Sequence, residues 1–367
     1  AIILSDILGK VDDVQTLFAE LQHVIRPDTR LIVTNYSRLW QPVLKCAEWL
    51  GLKKRDADEN WLGYHDLKGL LHLCGYETIR MERRMLLPAP IPLLAALFNR
   101  FFVRLPGLRH AALYNALIAR PERPRLENPS LSVVVPARNE AGNIEKAVQR
   151  IPHLGARTEI IFVEGGSEDD TWKQIEQVKH KYRHVYPIIA LRQPGRGKAD
   201  AVRCGFAHAT GDLVTILDGD LTMPPEELPK FYAAVASGKT EFANGSRLVY
   251  PQEAGAMRFL NVLGNHFFSL AFSCILGQRV KDTLCGTKML YRSDYQLLAA
   301  NRDYFGDSDP FGDFDLLFGA AKLGLAISDI PVHYKARTYG DTNISRWRHG
   351  VLLLYMTFVG ARKLWFY

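Results

Sequence analysis

The chain has 367 residues, of which 47% are hydrophobic and 23% are charged, as expected for roughly two globular domains. Its net charge of +7 suits anionic partners such as nucleotides, lipid phosphates, an acidic membrane surface or nucleic acid. The five cysteines are widely spaced and form no CxxC pair, which argues against a disulfide scaffold or a zinc knuckle and for a reducing compartment. The sequence starts without Met inside an apolar run, and we therefore expect further residues upstream.

The first 120 residues alternate predicted strands and helices. Residues 1–4 predict a strand that leads to Asp6, and apolar residues at helical spacing predict a helix over 14–25. A second strand is predicted at 29–35 and a second helix at 64–73. Strand, helix, strand and helix in this order predict a parallel α/β arrangement.

Three stretches of this segment resemble one enzyme family. The stretch IILSDILGKVDDVQTLFAELQHVIRPDTRLIVTNYS resembles the later half of the class I S-adenosylmethionine (SAM) methyltransferases. The stretch HDLKGLLHLCGYETIRMERRMLLP resembles the closing helix and strand pair of that family, and ALYNALIARP resembles its last strand. The glycine-rich cofactor loop of that family belongs to its first half and does not occur before residue 120 here. The resemblance therefore implies a partial Rossmann-like methyltransferase domain over 1–120, which binds SAM only if the missing upstream half is present. Asp6 is either a lining residue of the cofactor pocket or a polar strand end.

Two further segments lie between this region and the rest of the chain. The stretch PIPLLAALFNRFFVRLPGL at 90–108 is apolar with Arg100 and Arg104 interspersed. It predicts either an amphipathic helix on a membrane surface or a lid or packing helix of the same domain. Residues 121–130 are rich in proline and charge and predict a linker.

The region from 131 onwards predicts a doubly wound mononucleotide-binding half, with core strands at 131–135, 159–163, 188–191 and 213–217. Ligands of such sheets bind at the carboxyl ends of the strands, so we expect chemistry where Asp218 and Asp220 follow the fourth strand. Two carboxylates one residue apart suit a divalent cation that also holds a diphosphate. The alternative is a polar turn after a core strand.

Eight motifs in order across about 131–345 resemble the family 2 glycosyltransferases of the GT-A fold. They are VVVPARNE, VEGGS, GRGKADAVRCGF, DGD, NGSR, DTLCGTKMLYR, GDFDLLF and RTYGDTN. The dolichyl-phosphate or polyprenyl-phosphate sugar synthase branch is the most similar. The resemblance implies a GT-A (Rossmann-like nucleotide-diphospho-sugar transferase) domain over 131–346, a nucleoside-diphosphate sugar as donor, polyprenyl phosphate as favoured acceptor, and Mg²⁺ or Mn²⁺ as cofactor.

The resemblance also implies roles for individual residues. Asp218 and Asp220 are the implied metal ligands, with Asp220 also catalytic, and Thr222 stands where the branch often has Gln. Lys198 lies at a predicted helix start that suits a phosphate, although GRGKA lacks the spacing of a P-loop. The implied substrate-binding residues are Pro136, Arg138, Glu140, Glu164, Lys198, Asp218, Arg247, Asp282 and Arg337.

The acceptor decides whether the reaction needs a base. A lipid phosphate is already anionic and needs cations to hold it, and Arg247 and Arg337 match the arginines used for phosphates in that branch. A hydroxyl acceptor would need a base, for which Asp313 or Asp315 is the candidate. The structural alternative is that these aspartates cap a helix or lie in its first turn. Two alternatives are therefore a hydroxyl-acceptor glycosyltransferase and a protein whose main activity is methyl transfer, with an auxiliary GT-A domain. No nucleic-acid partner is expected, because no RNP-type strand or helix-turn-helix pattern occurs.

Two apolar segments bear on membrane contact. Residues 258–278 are long enough to span a bilayer, but their interspersed polar residues favour a helix in the membrane interface or packed on the domain. Residues 347–367 predict an apolar C-terminal helix that either associates with a membrane or packs in a core. We expect peripheral membrane contact and a cytoplasmic protein at the inner face of the membrane.

Overall fold

The computed structural model describes residues 1–54, 60–105, 107–251, 259–302, 312–337, 339 and 346–365. The chain divides into two compact units, Ala1–Pro124 and Arg125–Tyr367. One sheet has four strands and the other has seven, and buried apolar clusters lie in each unit.

The N-terminal unit has a mixed sheet of strand order β1-β2-β4-β3, formed by β1 (Ile2–Ser5), β2 (Leu31–Tyr36), β3 (Tyr76–Arg84) and β4 (Tyr114–Pro121). The β1–β2 pair is parallel, as predicted. The last strand, β4, inserts between β2 and β3 and runs antiparallel to both, which the parallel prediction did not include. Its described α-helices are α1 (Val14–Leu21), α2 (Gln41–Trp49), α3 (Tyr64–Leu73) and α4 (Pro92–Arg100).

The N-terminal core joins α1, α3 and one face of the sheet. Alternate residues of β2 are buried, starting with Leu31 and Val33, and Leu67 and Leu71 of α3 lie one helical turn apart against the same cluster. The predicted helix at 64–73 is confirmed. The first helix, in contrast, ends at Leu21 rather than at residue 25, because the chain continues as turns after that residue.

The C-terminal unit has a sheet of order β11-β9-β10-β8-β5-β6-β7. Its strands are β5 (Leu131–Ala137), β6 (Thr158–Glu164), β7 (Ile188–Arg192), β8 (Leu213–Ile216), β9 (Phe242–Ser246), β10 (Lys288–Tyr291) and β11 (Ile327–Pro331). The pairings β8–β5, β5–β6 and β6–β7 are parallel and confirm the predicted doubly wound half. Strand β10 runs antiparallel to both of its neighbours.

Helices cover both faces of this sheet. They are α5 (Ala141–Arg150), α6 (Thr171–Lys181), α7 (Gly197–His208), α8 (Leu228–Ala236), α9 (Phe259–Leu276), α10 (Arg292–Ala300), α11 (Asp313–Lys322) and α12 (Arg346–Trp365). Val133 and Val135 of β5 belong to the core with α5, α6 and α8, whereas Val134 between them belongs to the core with α7, α9 and α11. This alternation makes the unit an α/β fold, as predicted.

The two apolar segments of this unit fold as α9 and α12. Phe272 of α9 and Met356 of α12 are buried in the same core, while Leu270 and Phe358 are exposed. Among the described residues, no helix combines the length and the apolar character needed to cross a membrane. Residues 366 and 367 of the predicted C-terminal helix lie outside the described part of the chain.

Candidate functional site

The site lies at the carboxyl edge of the parallel strands, and its centre is the turn after β8. Leu217 still donates to the Val134 carbonyl of β5, and the chain then leaves the sheet. Leu221 adopts a left-handed backbone (φ 53°) and donates to the Asp218 carbonyl at 3.1 Å, which closes the turn. Thr222 donates to Asp220 Oδ1 from its backbone N (3.1 Å) and from Oγ1 (2.9 Å). The turn is therefore closed at the Asp218 backbone, and Thr222 orients the Asp220 carboxylate.

Lys198 is the partner of Asp218. It lies in the first turn of α7, with Nζ 2.5 Å from Asp218 Oδ1. Burial opposes the charge on each group, but the Lys198, Lys288 and Arg247 cations hold the pKa of Asp218 below its usual value. Burial likewise opposes the ammonium, yet the nearby carboxylates, with Asp218 first, raise the pKa of Lys198 above its ordinary value. Both groups are charged at neutral pH.

Arg337 and Glu140 complete the surroundings of Asp220. Arg337 donates from Nη2 to Asp220 Oδ2 at 2.7 Å, and its Nη1 lies 3.6 Å from Glu140 Oε1. Glu140, at the start of α5, also accepts a 2.7 Å hydrogen bond from Asn143. Burial raises the pKa of Glu140 to about 7, and the Asn143 hydrogen bond and Arg337 offset only part of that rise. The structure thus brings three of the predicted residues into one group.

Arg247 and Asp282 form a buried pair beside this group. Arg247 donates from Nε (2.7 Å) and Nη2 (2.8 Å) to the two Asp282 oxygens, a bidentate geometry, and stacks 5.1 Å over the Tyr334 ring. Asp282 is fully buried, so it holds Arg247 rather than facing a ligand itself. We therefore interpret Asp282 as a positioning residue for Arg247.

Asp313 and Asp315, the candidate bases, both have internal cationic partners. Asp313 accepts a 2.9 Å hydrogen bond from the fully buried Lys288. Asp315 accepts from Arg203 at 3.2 Å and from Arg302 at 3.0 Å. Both lie in the first turn of α11, the position expected for helix-start acids.

The remaining predicted residues lie at the ends of β5 and β6. The Pro136 carbonyl packs on Gly219, because a Cβ added to Gly219 would lie only 2.8 Å from the Pro136 carbonyl oxygen. Glu164 is buried and accepts a 2.5 Å hydrogen bond from the Ser167 backbone, which orders the turn after β6. Arg138 is exposed in the loop after β5. These contacts give Pro136 and Glu164 a visible role in shaping the loops.

Four further residues, Lys288, Asp169, Gly142 and Tyr339, lie at or near the site although the sequence predicted no role for them. Lys288 contributes to the low pKa of Asp218, but a lysine within a strand gives no sign that it is buried. Asp169 accepts hydrogen bonds from Ala141 N and Thr171 and lies 3.4 Å from the Tyr339 hydroxyl. Tyr339 packs on Gly142, where a Cβ would lie only 2.6 Å from the ring. Asp169, Gly142 and Tyr339 line a cavity of about 770 Å³.

The donor chemistry of Asp218 and Asp220 fits a hard divalent cation, which prefers carboxylate oxygens. Gly286 keeps space open beside them, because a Cβ there would overlap Asp218 Oδ2 and Lys198 Nζ. In the described parts of the chain, no three His, Cys, Asp or Glu side chains are grouped closely enough to hold a metal by themselves. Any cation here would therefore share its shell between these two carboxylates and a bound ligand.

Comparison with known proteins supports the family resemblance of this unit. Residues 132–297 match the family model "Glycosyl transferase family 2". The chain is 36% identical over 122 residues to a dolichol-phosphate mannosyltransferase of Pyrococcus furiosus, covering 32% of this chain and 33% of that protein. It is 34% identical over 113 residues to an undecaprenyl-phosphate 4-deoxy-4-formamido-L-arabinose transferase of Klebsiella pneumoniae, covering 29% and 34% respectively. The chain spans about a third of the length of these curated relatives.

One solved structure can be set beside these relatives. Glucosyl-3-phosphoglycerate synthase from Mycobacterium tuberculosis aligns over 64% of this chain and 80% of its own, with 20% identity and a TM-score of 0.46. The predicted resemblance to family 2 glycosyltransferases is confirmed for residues 132–297 by the family model. The resemblance of the N-terminal unit to methyltransferases stays a prediction.

Proposed function

We propose that residues 131–346 form a metal-dependent, inverting GT-A glycosyltransferase that moves a sugar from a nucleoside-diphosphate sugar to polyprenyl phosphate. The observation that carries this proposal is the turn after β8. There Asp218 and Asp220 are fixed at the ligand-binding edge of the sheet, with Lys198 and Arg337 paired to them. The match of residues 132–297 to family 2 glycosyltransferases supports the reaction class.

In this proposal the donor diphosphate lies over the turn after β8. Asp218 and Asp220 would hold Mg²⁺ or Mn²⁺, which supplies positive charge against the leaving nucleoside diphosphate. Lys198 is already charged and fixed at the start of α7, where backbone N–H groups and the helix dipole also favour a phosphate. Glu140 lies beside Asp220 and is a candidate hydrogen-bonding partner of the nucleoside.

Polyprenyl phosphate is the proposed acceptor for two reasons. The relatives named above act, by their names, on dolichol phosphate and undecaprenyl phosphate. Arg247 and Arg337 lie at the site and offer guanidinium groups suited to a phosphate. The rival hydroxyl acceptor would need Asp313 or Asp315 as a base, and both are engaged in internal ion pairs. Loss of turnover in Asp313→Asn or Asp315→Asn, with donor binding intact, would favour the rival.

We also propose that the N-terminal unit is the later half of a methyltransferase-like domain. Its order of strands and helices, ending in an inserted antiparallel strand β4, supports the relationship. A chain extended upstream should bind SAM if this proposal holds, as measured by calorimetry. The same extended chain without SAM affinity would contradict a methyl-transfer role.

The decisive experiment is a donor panel of UDP and GDP sugars, with and without polyprenyl phosphate, that measures labelled lipid product. Asp220→Ala should lower Mn²⁺-dependent release of nucleoside diphosphate by at least ~100-fold, because it removes a carboxylate at the diphosphate. Glu226→Gln changes a surface carboxylate of the same unit and should retain the wild-type rate. A wild-type rate in Asp220→Ala would overturn the assignment.

A further inference from the structure

The N-terminal unit contains a long segment with one sign of charge. Residues 83–121 include six arginines and no aspartate or glutamate. The charge is concentrated where β3 meets the turns after α4, in what we call the arginine cluster. It has two parts: Arg80, Arg84 and Arg104 lie around Glu82, and Arg83 lies beside Arg109.

Glu82 is the carboxylate within this cluster, and it pairs with Arg80 and Arg84. The Nη1 atom of Arg83 is buried and has no hydrogen-bond partner in the described structure. Burial, and then repulsion from Arg84, lowers the pKa of Arg104 to about 10. The five arginines therefore outnumber the Glu82 carboxylate that lies among them, and the cluster is net positive.

A strip of exposed apolar side chains lies in the same segment. Leu93 is 89% exposed, and the strip as a whole consists of Leu93, Leu94, Leu97, Phe101 and Leu105. The spacing of 93, 97 and 101 places these three residues on one side of α4 and its continuation. We call the five exposed residues together the apolar strip.

The exposure of the strip is not caused by a loosely held helix. Asn99 accepts a hydrogen bond from the Leu87 backbone N at 2.8 Å and donates to the Leu87 carbonyl at 2.9 Å. Val103, in the 3₁₀ turn after α4, is buried. One side of the segment is thus fixed to the unit, while its leucines face solvent. A helix that served only to pack on the domain would bury those leucines.

We propose that the apolar strip and the arginine cluster form a docking surface for a membrane that contains anionic lipids. The strip would enter the boundary between headgroups and acyl chains, and the arginines would contact lipid phosphates. The absence of acidic residues over 83–121 favours a uniformly anionic partner over a protein surface of mixed charge. This surface lies wholly within the N-terminal unit and does not depend on the proposed glycosyl transfer.

The test is co-sedimentation of the full chain with vesicles of phosphatidylcholine alone or with about one third phosphatidylglycerol. Binding should require the anionic lipid and should weaken when NaCl is raised from about 0.1 M to about 0.5 M. The double change Leu93→Glu and Leu97→Glu should lower the affinity at least ~10-fold. Leu73→Glu is the matched control, since Leu73 is 72% exposed on α3 of the same unit, and it should bind like the wild type.

A charge variant tests the second half of the surface. Arg109→Gln should weaken binding to anionic vesicles, whereas Arg38→Gln, an exposed arginine outside the cluster, should not. Equal binding to both kinds of vesicle would overturn the proposal, as would unchanged binding in the double variant with a native circular dichroism spectrum. Absence of vesicle binding by the wild-type chain would also overturn it and would leave a protein partner as the occupant.

Discussion

The charged groups that stand out in the two units are arranged differently, although the N-terminal unit also pairs a buried arginine, Arg120, with Glu77. In the C-terminal unit, Arg247 is paired with Asp282 and Lys288 with Asp313, as Lys198 is with Asp218. In the arginine cluster of the N-terminal unit, Arg80, Arg84 and Arg104 lie around Glu82, and Arg83 lies beside Arg109. Paired charges hold each other in a fixed geometry before a ligand arrives, whereas a cluster with an excess of positive charge attracts anions. The first arrangement suits chemistry and the second suits docking.

The pairing in the C-terminal unit also explains how Asp218 stays ionised. Asp218 is partly buried, and burial alone would favour its neutral form. Its cationic neighbours reverse that preference. The same cations are the groups that a diphosphate or a lipid phosphate would attract.

The largest effect is expected from the buried pair of Arg247 and Asp282. Asp282→Asn should lower the free energy of unfolding of the C-terminal unit by about 3 kcal/mol, because it leaves a buried guanidinium without its charge partner. The exposed pair of Arg150 and Glu226 has the same bidentate geometry and serves as the control. Glu226→Gln should cost less than about 1 kcal/mol, as measured by urea unfolding. Equal losses in the two variants would remove the distinction between buried and exposed pairing.

Glu140 is a carboxyl of the site whose pKa is raised, and it supplies a test of that shift. A carboxyl with a raised pKa in the folded state binds its proton more tightly there than in the unfolded chain. Its contribution to stability is therefore complete below about pH 4.5 and is lost as pH rises through about 7. Glu140→Gln removes this pH dependence, so the variant should unfold like the wild type near pH 4 and be more stable than it at pH 8. The shift from 4.5 to about 7 corresponds to roughly 3 kcal/mol.

The contrary result for Glu140 has a clear meaning. If the wild type and Glu140→Gln keep the same stability difference from pH 4 to pH 8, burial does not control this carboxyl. Arg337 would then be the dominant neighbour, which would make the group around Asp220 a fully charged one. Urea unfolding of both proteins across that pH range distinguishes the two cases.

Much of the fold could be predicted because apolar periodicity reports directly on burial. Strands β5 and β8 read as apolar runs and are buried on both faces, and α3 has the bounds that its pattern predicts. The insertion of β4 between β2 and β3 could not be predicted in this way. Residue patterns show that a strand exists, but strand order depends on contacts between residues far apart in the chain.

The sequence predicts which residues belong to the site, but it does not predict which of them form ion pairs with each other. Asp218 and Asp220 follow a core strand, and that position alone indicates the ligand edge of the sheet. Nothing in the spacing shows that Arg337 contacts Asp220, more than a hundred residues away, or that Asp282 lies behind Arg247. Lys288 was the least predictable, because lysines are almost never fully buried without a partner and its partner, Asp313, comes from a distant helix.

A smaller effect is expected from the space beside the Lys198–Asp218 pair. Gly286→Ala places a methyl group against the ends of both side chains, which can move without disrupting the core. Turnover should fall by roughly 10-fold to 100-fold while the unfolding free energy changes little, because the fixed geometry of the pair is lost. Gly264→Ala is the matched control, since a Cβ at that helical position meets nothing within 4 Å. Full activity in Gly286→Ala would mean that the pair need not be held in place.

The smallest effect on stability is expected from the substitution of Arg83, which tests the N-terminal unit. Arg83→Met should leave the unfolding free energy of the N-terminal unit unchanged or raise it by up to about 1 kcal/mol, since burial disfavours this guanidinium and no carboxylate among the described residues pairs with it. Arg120→Met in β4 should instead destabilise the unit, because the fully buried Arg120 pairs with Glu77 at 2.6 Å. Hydrogen exchange of the N-terminal amides reports both changes.

The same Arg83 variant should bind anionic vesicles more weakly than the wild type. A substitution that preserves or improves stability while it weakens binding identifies a charge kept for a partner rather than for the fold. If Arg83→Met destabilises the unit as much as Arg120→Met does, Arg83 is compensated internally after all. The arginine cluster would then belong with the paired charges of the C-terminal unit, and the contrast between the two units would disappear.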